Sequence, residues 1–422
     1  MIPVNYYIKP NDYVRQVEVS LALVKFIQAF RDHDLYDPKI VIFHVLIKYP
    51  QWSNRVDIFQ YMRKKNLKEL RNNPKAFFFL DASTEGFSTL YDMPFFNVLY
   101  FNCTKYNINP NKIIFMSSNM LDPENIKKYN SKHNITESIN VACFNNFEQM
   151  LFGLKNTGER YEMVLDRTDV DKVIEERYTA VRKHSERFYY GEKYYLSLSR
   201  VNRPHRIMSA YELFNSDIFE KGIVSHNAFK GGYAKASNLK KTLPDGFDIT
   251  EEQINQFYKV LPLIADTEDF KTNHAMGLHS HLHWTTLFQV VNETYVEDWN
   301  KTSMFWSEKT FRAIYHMQPF IIWGQPNINK NLQKYGYKLY EDTFDYSFDS
   351  EEDTYLRWCK LFKLIKETVK EIDSLSKDAH QEWKFKQEDI LKYNFKVMYN
   401  NKHTEQTMLE LAQKIKKLAD AN

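Results

Sequence analysis

Ser307-Glu308-Lys309-Thr310 places two hydroxyls, a carboxylate and an ammonium in consecutive positions. Phe311, Ile314 and Tyr315 follow at helical spacing, so Ser307 reads as an N-cap and the next residues as a first helical turn. The free N–H groups and dipole of such a turn attract anions, phosphate in particular. Lys309 adds a mobile cation, and Glu308 can accept from sugar hydroxyls. Glu293 is a second carboxylate of this kind, just past the strand-like run Leu287-Phe288-Gln289-Val290-Val291. A third group is basic: Arg200, Arg203, His205 and Arg206 fall within seven positions, directly after strand-like Tyr194 to Leu198. Guanidinium forks match diphosphate oxygens. Together these residues have the chemistry to hold a phosphorylated ligand that carries hydroxyls. The plainer reading is a capped helix between core strands, with Glu308 and Lys309 solvated and the arginines as surface ion-pair partners.

The elements that must position them form an α/β pattern. Pro319 closes the helix begun at Ser307, Phe320-Ile321-Ile322-Trp323 is a second strand, and Gly324-Gln325-Pro326 turns out of it. Strand, loop, helix, strand belongs to an α/β sheet, whose ligands bind beyond the carboxyl ends of strands. Earlier, residues 40–47, 76–80, 97–101, 112–116 and 141–144 read as strands, and 17–30 and 61–71 as helical. Two polar turns follow strand ends: Asp81-Ala82-Ser83-Thr84-Glu85-Gly86 and Ser117-Ser118-Asn119. Glu85, held by the turn at Gly86, is a candidate general base, or else an acidic surface residue. Residues 166–192 read as a charged helical connection, 206–219 as a helix entered at Pro204, and 222–225 as a short strand. Residues 355–375 form an amphipathic helix, and Lys-rich helices continue to 422.

Composition bounds the reading. A chain of 422 residues is long for one core, so two domains with appendages are expected. Hydrophobic residues at 43% exclude a disordered chain, and 11 glycines, with no Gly-rich phosphate loop, speak against a GxGxxG or Walker fold. A net charge of +3 advertises neither nucleic acid nor membrane. The three cysteines fit no disulfide framework or zinc knuckle, no apolar run is long enough to span a bilayer, and the N-terminal residues lack a signal-peptide layout. These features predict a cytoplasmic protein without membrane insertion. His279-Ser280-His281-Leu282-His283, with His274 nearby, suggests a metal site if the segment is a strand, because alternate histidines share a face. No Cys, Asp or Glu lies among them, and no metal is assigned.

The order of these pieces, a strand ending near Glu293, a loop, Ser-Glu-Lys opening a helix, then Pro-Phe-Ile, resembles the donor-binding core of GT-B glycosyltransferases. It is similar to the core of the α-1,3-fucosyltransferases and closer to glycosyltransferase sequences common in tailed-phage genomes. About a tenth of the chain carries the motif, and the turns near Glu85 and Asn119 extend it more faintly. The resemblance implies two Rossmann-like domains facing a cleft: 1–165 for the acceptor, 166–192 connecting, 193–350 for the nucleotide sugar, and 351–422 as C-terminal helices. It implies a hexosyl- or pentosyltransferase using a UDP- or GDP-linked donor, with no cofactor required. Arg200, Arg203, Arg206, Ser307, Lys309 and Thr310 would take the diphosphate side, Glu293 and Glu308 donor hydroxyls, and Glu85 the acceptor proton if configuration inverts. The acceptor is a modified DNA base, a glycan or a protein, in a host cytoplasm if the source is viral. Two other classes stay open: a non-catalytic nucleic-acid or particle-binding protein, and a metal-dependent hydrolase built on His279, His281 and His283.

Overall fold

In the computed structural model, the described residues are 4–6, 20–46, 57–60, 62–83, 86, 89–90, 95–150, 155–156, 161–162, 169–199, 201–228, 235–265, 280–297 and 301–421. In chain order the strands are β1 Val4–Tyr6, β2 Val41–Leu46, β3 Ala76–Ala82, β4 Ile113–Ser117, β5 Asn140–Cys143, β6 Lys155–Asn156, β7 Tyr161–Glu162, β8 Tyr195–Ser199, β9 Gly222–His226, β10 Phe288–Asn292 and β11 Phe320–Trp323. The helices are α1 Leu21–Asp32, α2 Lys64–Asn72, α3 Phe95–Tyr106, α4 Asp122–His133, α5 Asn146–Met150, α6 Val170–Phe188, α7 Pro204–Phe214, α8 Ala236–Lys240, α9 Glu251–Val260, α10 Ser280–Trp284, α11 Glu308–Tyr315, α12 Ile328–Lys334, α13 Thr354–Asp373, α14 Lys377–Phe385, α15 Glu388–Asn400 and α16 Lys402–Asp420. Two compact units result, 1–149 with 298–305 and 401–422, and 150–297 with 306–400.

The first unit is a parallel sheet in the order β1-β2-β3-β4-β5. Its central strands, AFFFLDA and IIFMS, are buried at every position, as a sheet covered on both faces requires. The period of two sorts their side chains. Phe78, Leu80, Ile113 and Phe115 enter one core with Phe95, Phe96 and Leu99 of α3. Phe77, Phe79, Ile114 and Met116 enter the other, with Phe26 and Phe30 of α1 and Met408, Leu411 and Ile415 of α16. Residues 97–101, expected as a strand, lie within α3. The buried set there is Phe95, Phe96, Val98, Leu99, Asn102 and Cys103, a helical spacing that the shorter apolar window concealed.

The second unit is a parallel sheet in the order β11-β10-β8-β9. Strand β8 pairs with β9 on one side and β10 on the other, so the strand order reverses between β8 and β10. In open α/β sheets a crevice beyond the carboxyl ends at such a reversal is the ligand position. Buried Arg357 of α13 fixes the neighbouring loops, donating to the carbonyls of Val296 at 2.6 Å and Gly324 at 3.1 Å. The condition for a histidine metal site is not met: Ser280–Trp284 is a short helix, not a strand. His281 and His283 therefore point about 200° apart around it. Among the described residues no group of three His, Cys, Asp or Glu could hold a metal, and no helix is long and apolar enough to cross a membrane. His279 and His274 lie outside the described residues.

Because α16 completes one core of the first unit, Ile415→Ala, at a fully buried site, should cost ~2–5 kcal/mol of stability. Denaturant unfolding checks this, and a loss below about 0.5 kcal/mol, as at a surface site, would contradict the packing.

Candidate functional site

Strand β10 ends at Asn292 because Glu293 turns its side chain under the start of α11. That carboxylate is fully buried and accepts four hydrogen bonds. One oxygen takes the Ser307 N–H at 3.0 Å and the Thr310 hydroxyl at 2.6 Å; the other takes the Ser307 hydroxyl at 2.6 Å and the Thr294 N–H at 2.9 Å. Its charge also meets the positive end of the α11 dipole. The anion at this helix start is thus supplied by the protein itself. Ser307 is equally occupied, since its oxygen donates to Glu293 and accepts from the Lys309 N–H at 3.4 Å and the Lys309 ammonium at 3.0 Å.

The main-chain carbonyl of the same residue reaches the basic turn. It accepts from Nε2 of His205 at 3.0 Å and from Nε and Nη2 of Arg206 at 3.3 and 3.0 Å. A carbonyl only accepts, so His205 carries its proton on Nε2. Burial, then the adjacent Arg206 charge, hold His205 well below the ordinary histidine range. Burial, then the neighbouring Arg203, bring Arg206 down to about 10, so it remains a cation at neutral pH. Its guanidinium makes no other hydrogen bond among the described residues.

Lys309 and Glu308 are not solvated. Their side chains are 13% and 11% exposed, and they pair at 2.7 Å. Burial lowers the Lys309 ammonium, with Glu308 opposing that effect. Burial alone would raise the Glu308 carboxyl, but Lys309 and Arg312 outweigh it and hold the group below the usual glutamate range. Arg203, at the N-cap of α7, lies over the Tyr295 ring at 5.0 Å. Gly324 at the end of β11 leaves room for this packing, since a Cβ there would stand 2.6 Å from Ile328 and 3.2 Å from the Glu293 Cβ.

The structure therefore brings Arg203, Arg206, Glu293, Ser307, Glu308, Lys309 and Thr310 together within the second unit, at the reversal of strand order. Arg200 and Glu85 lie outside the described residues. Four cations, Arg203, Arg206, Lys309 and Arg312, stand with two carboxylates, one of them fully engaged by neutral donors, so the cluster has the charge to receive an anion. Sequence reasoning did not reach the roles of His205 and Tyr295, or the bracing function of the Glu293 side chain. The Ser307/Thr310 pair of hydroxyls on one helix face was the available signal for the last.

The first unit has its own polar centre past β4. The Asp122 carboxylate accepts from Thr89 at 2.7 Å, Ser117 at 2.5 Å, Asn119 at 2.9 Å and Asn125 at 3.0 Å. Burial pushes it up to about 7 against these donors. Asn119 and Asn125 also donate to the Thr302 carbonyl, at 2.8 and 2.7 Å. The turn at 117–119 thus braces residues 301–305 within its own unit.

No protein-family model, no curated protein and no solved structure matches this chain.

Two outcomes follow from this geometry. Glu293→Gln keeps the shape, but either orientation of the amide turns its NH2 toward a backbone N–H. The variant should lose ~2–4 kcal/mol in denaturant unfolding, and a loss under about 0.5 kcal/mol would remove the brace. His205 has a folded-state pKa below its unfolded value of about 6.5, so the unfolded chain binds more protons below that pH. Its share of stability is present above about 6.5 and is lost as pH falls. His205→Gln should reduce the acid-side slope of stability between about pH 6.5 and 4.5 by up to ~1.4 kcal/mol per pH unit, read from urea melts across that range.

Proposed function

We propose that this protein is a glycosyltransferase of the GT-B type, whose second unit binds the diphosphate of a UDP- or GDP-linked sugar. The observation that carries the reading is that Arg206 and Lys309, about a hundred residues apart in sequence, meet around Glu293 at the reversal of strand order. Neither cation makes an ion pair with Glu293, whose oxygens are held by N–H and O–H groups, and Lys309 pairs with Glu308.

In the reaction, the bond between the sugar C1 and the diphosphate oxygen breaks, and the electron pair leaves with the nucleoside diphosphate. The acceptor oxygen forms the new bond to C1 and loses its proton. Lys309 and Arg206 oppose the charge that grows on the leaving diphosphate, with Arg203 and Arg200 as further donors. Glu308, relieved of Lys309, accepts from a ribose or sugar hydroxyl. Glu293, Ser307 and Thr310 hold the helix start that carries both. If configuration inverts, Glu85 takes the acceptor proton; a retaining enzyme needs no such base. In the GT-B arrangement that this reading entails, the two units face a cleft, and the first receives a modified DNA base, a glycan or a protein. No metal or other cofactor takes part in these steps.

Stabilisation that grows toward the transition state acts on turnover more than on binding. Lys309→Ala should therefore lower kcat by a larger factor than it raises the donor Kd, and Lys309→Gln should not restore it. The screen that identifies the donor is thermal unfolding with UDP, GDP and their sugars, where a ligand at a hundred times its Kd adds about 2.7 kcal/mol. Absence of any shift with all of them, or unchanged transfer by Lys309→Ala, would overturn the proposal.

A further inference from the structure

Arg203 is held in an unusual way. Its guanidinium has no carboxylate or carbonyl partner among the described residues, and its side chain caps nothing at the start of α7. It lies instead over the ring of half-buried Tyr295, beside a second guanidinium, Arg206, whose charge it opposes. Two like charges in one turn gain nothing from each other. A long side chain with no ionic partner would ordinarily spread over many rotamers, and fixing it costs up to about 2 kcal/mol. A cation–π contact limits that freedom through the face of the guanidinium. The N–H donors lie in the guanidinium plane, so stacking leaves them free for an anion.

We infer that Tyr295 is a positioning residue: its ring holds Arg203 over the second unit's cation cluster, with the guanidinium edge presented to the phosphates of a nucleoside diphosphate. The inference rests on the functional reading above and adds a residue that neither the helix start nor the basic turn contains. Tyr295 acts through Arg203 and need not touch the ligand. Its ring is required and its hydroxyl is not.

The test is calorimetric titration of UDP and GDP into the full chain, for wild type, Tyr295→Phe, Tyr295→Leu, Arg203→Ala, Arg203→Lys and the Tyr295→Leu/Arg203→Ala double variant. Tyr295→Phe should bind within about twofold of wild type. Tyr295→Leu should weaken binding about fivefold, the equivalent of ~1 kcal/mol at 1.4 kcal/mol per tenfold. Arg203→Lys keeps the charge but not the planar stack, and should fall similarly. It provides the same reading if Tyr295→Leu does not fold. The double variant should be no weaker than Arg203→Ala alone, because the ring has nothing left to position. Tyr295→Phe as weak as Tyr295→Leu would overturn the inference, as would additive losses in the double variant or Arg203→Lys binding like wild type. Each of those results leaves the functional reading standing. Failure of the wild type to bind either diphosphate removes that reading, and this inference with it.

Discussion

A buried carboxylate with no cation in contact is costly unless donors replace the water it has lost. At Glu293 four protein donors do so, two backbone N–H groups and two hydroxyls, and the α11 dipole adds to them. The site of the second unit depends on this one interaction. The side chain fixes where α11 begins, and hence where Glu308 and Lys309 stand. The carbonyl of the same residue fixes His205 and Arg206 at the start of α7. Since the carboxylate is satisfied by neutral groups, it makes no ion pair with Arg206 or Lys309; Lys309 pairs with Glu308 instead, and Arg206 keeps N–H groups that bond nothing else among the described residues.

The first unit uses the same device at Asp122, where two hydroxyls and two amides gather on one carboxylate beyond β4. In both units a parallel sheet ends in polar turns whose donors converge on an acid, which fixes otherwise irregular loops. The difference lies in charge. Asp122 stands among neutral side chains, whereas Glu293 lies within the field of two cations, Arg206 and Lys309, and that arrangement has the electrostatics of an anion site.

The α/β character of residues 287–324 was legible because its signals are local. The aromatic and β-branched run before Glu293, the hydroxyl at Ser307 with its apolar stripe, and Pro319 ahead of Phe320 each act within a few residues, and β10, α11 and β11 lie there. Local signals misled at Asn97 to Phe101, where a five-residue apolar window hid the helical spacing of the flanking phenylalanines. At His281 and His283 the alternation would have shared a face only on a strand, and no local signal announced the short helix that carries them. The hydrogen-bond state of Glu293 was not legible at all. An acid past a strand end looks the same in sequence whether its oxygens face a ligand or the next helix. The pairing of Arg203 with Tyr295 likewise depends on the reversal of strand order, which no local pattern encodes.

On the proposed function, Glu293 stays with the helix start while Arg206 and Lys309 receive a diphosphate. A crystal structure of the full chain grown with the nucleoside diphosphate it binds most tightly tests this directly. Phosphate oxygens should lie within about 3 Å of the Lys309 ammonium and the unused Arg206 N–H groups, with the Glu293 carboxylate still on Ser307 and Thr310. A diphosphate bound elsewhere in the chain, or one that takes the place of Glu293 at the start of α11, would contradict it.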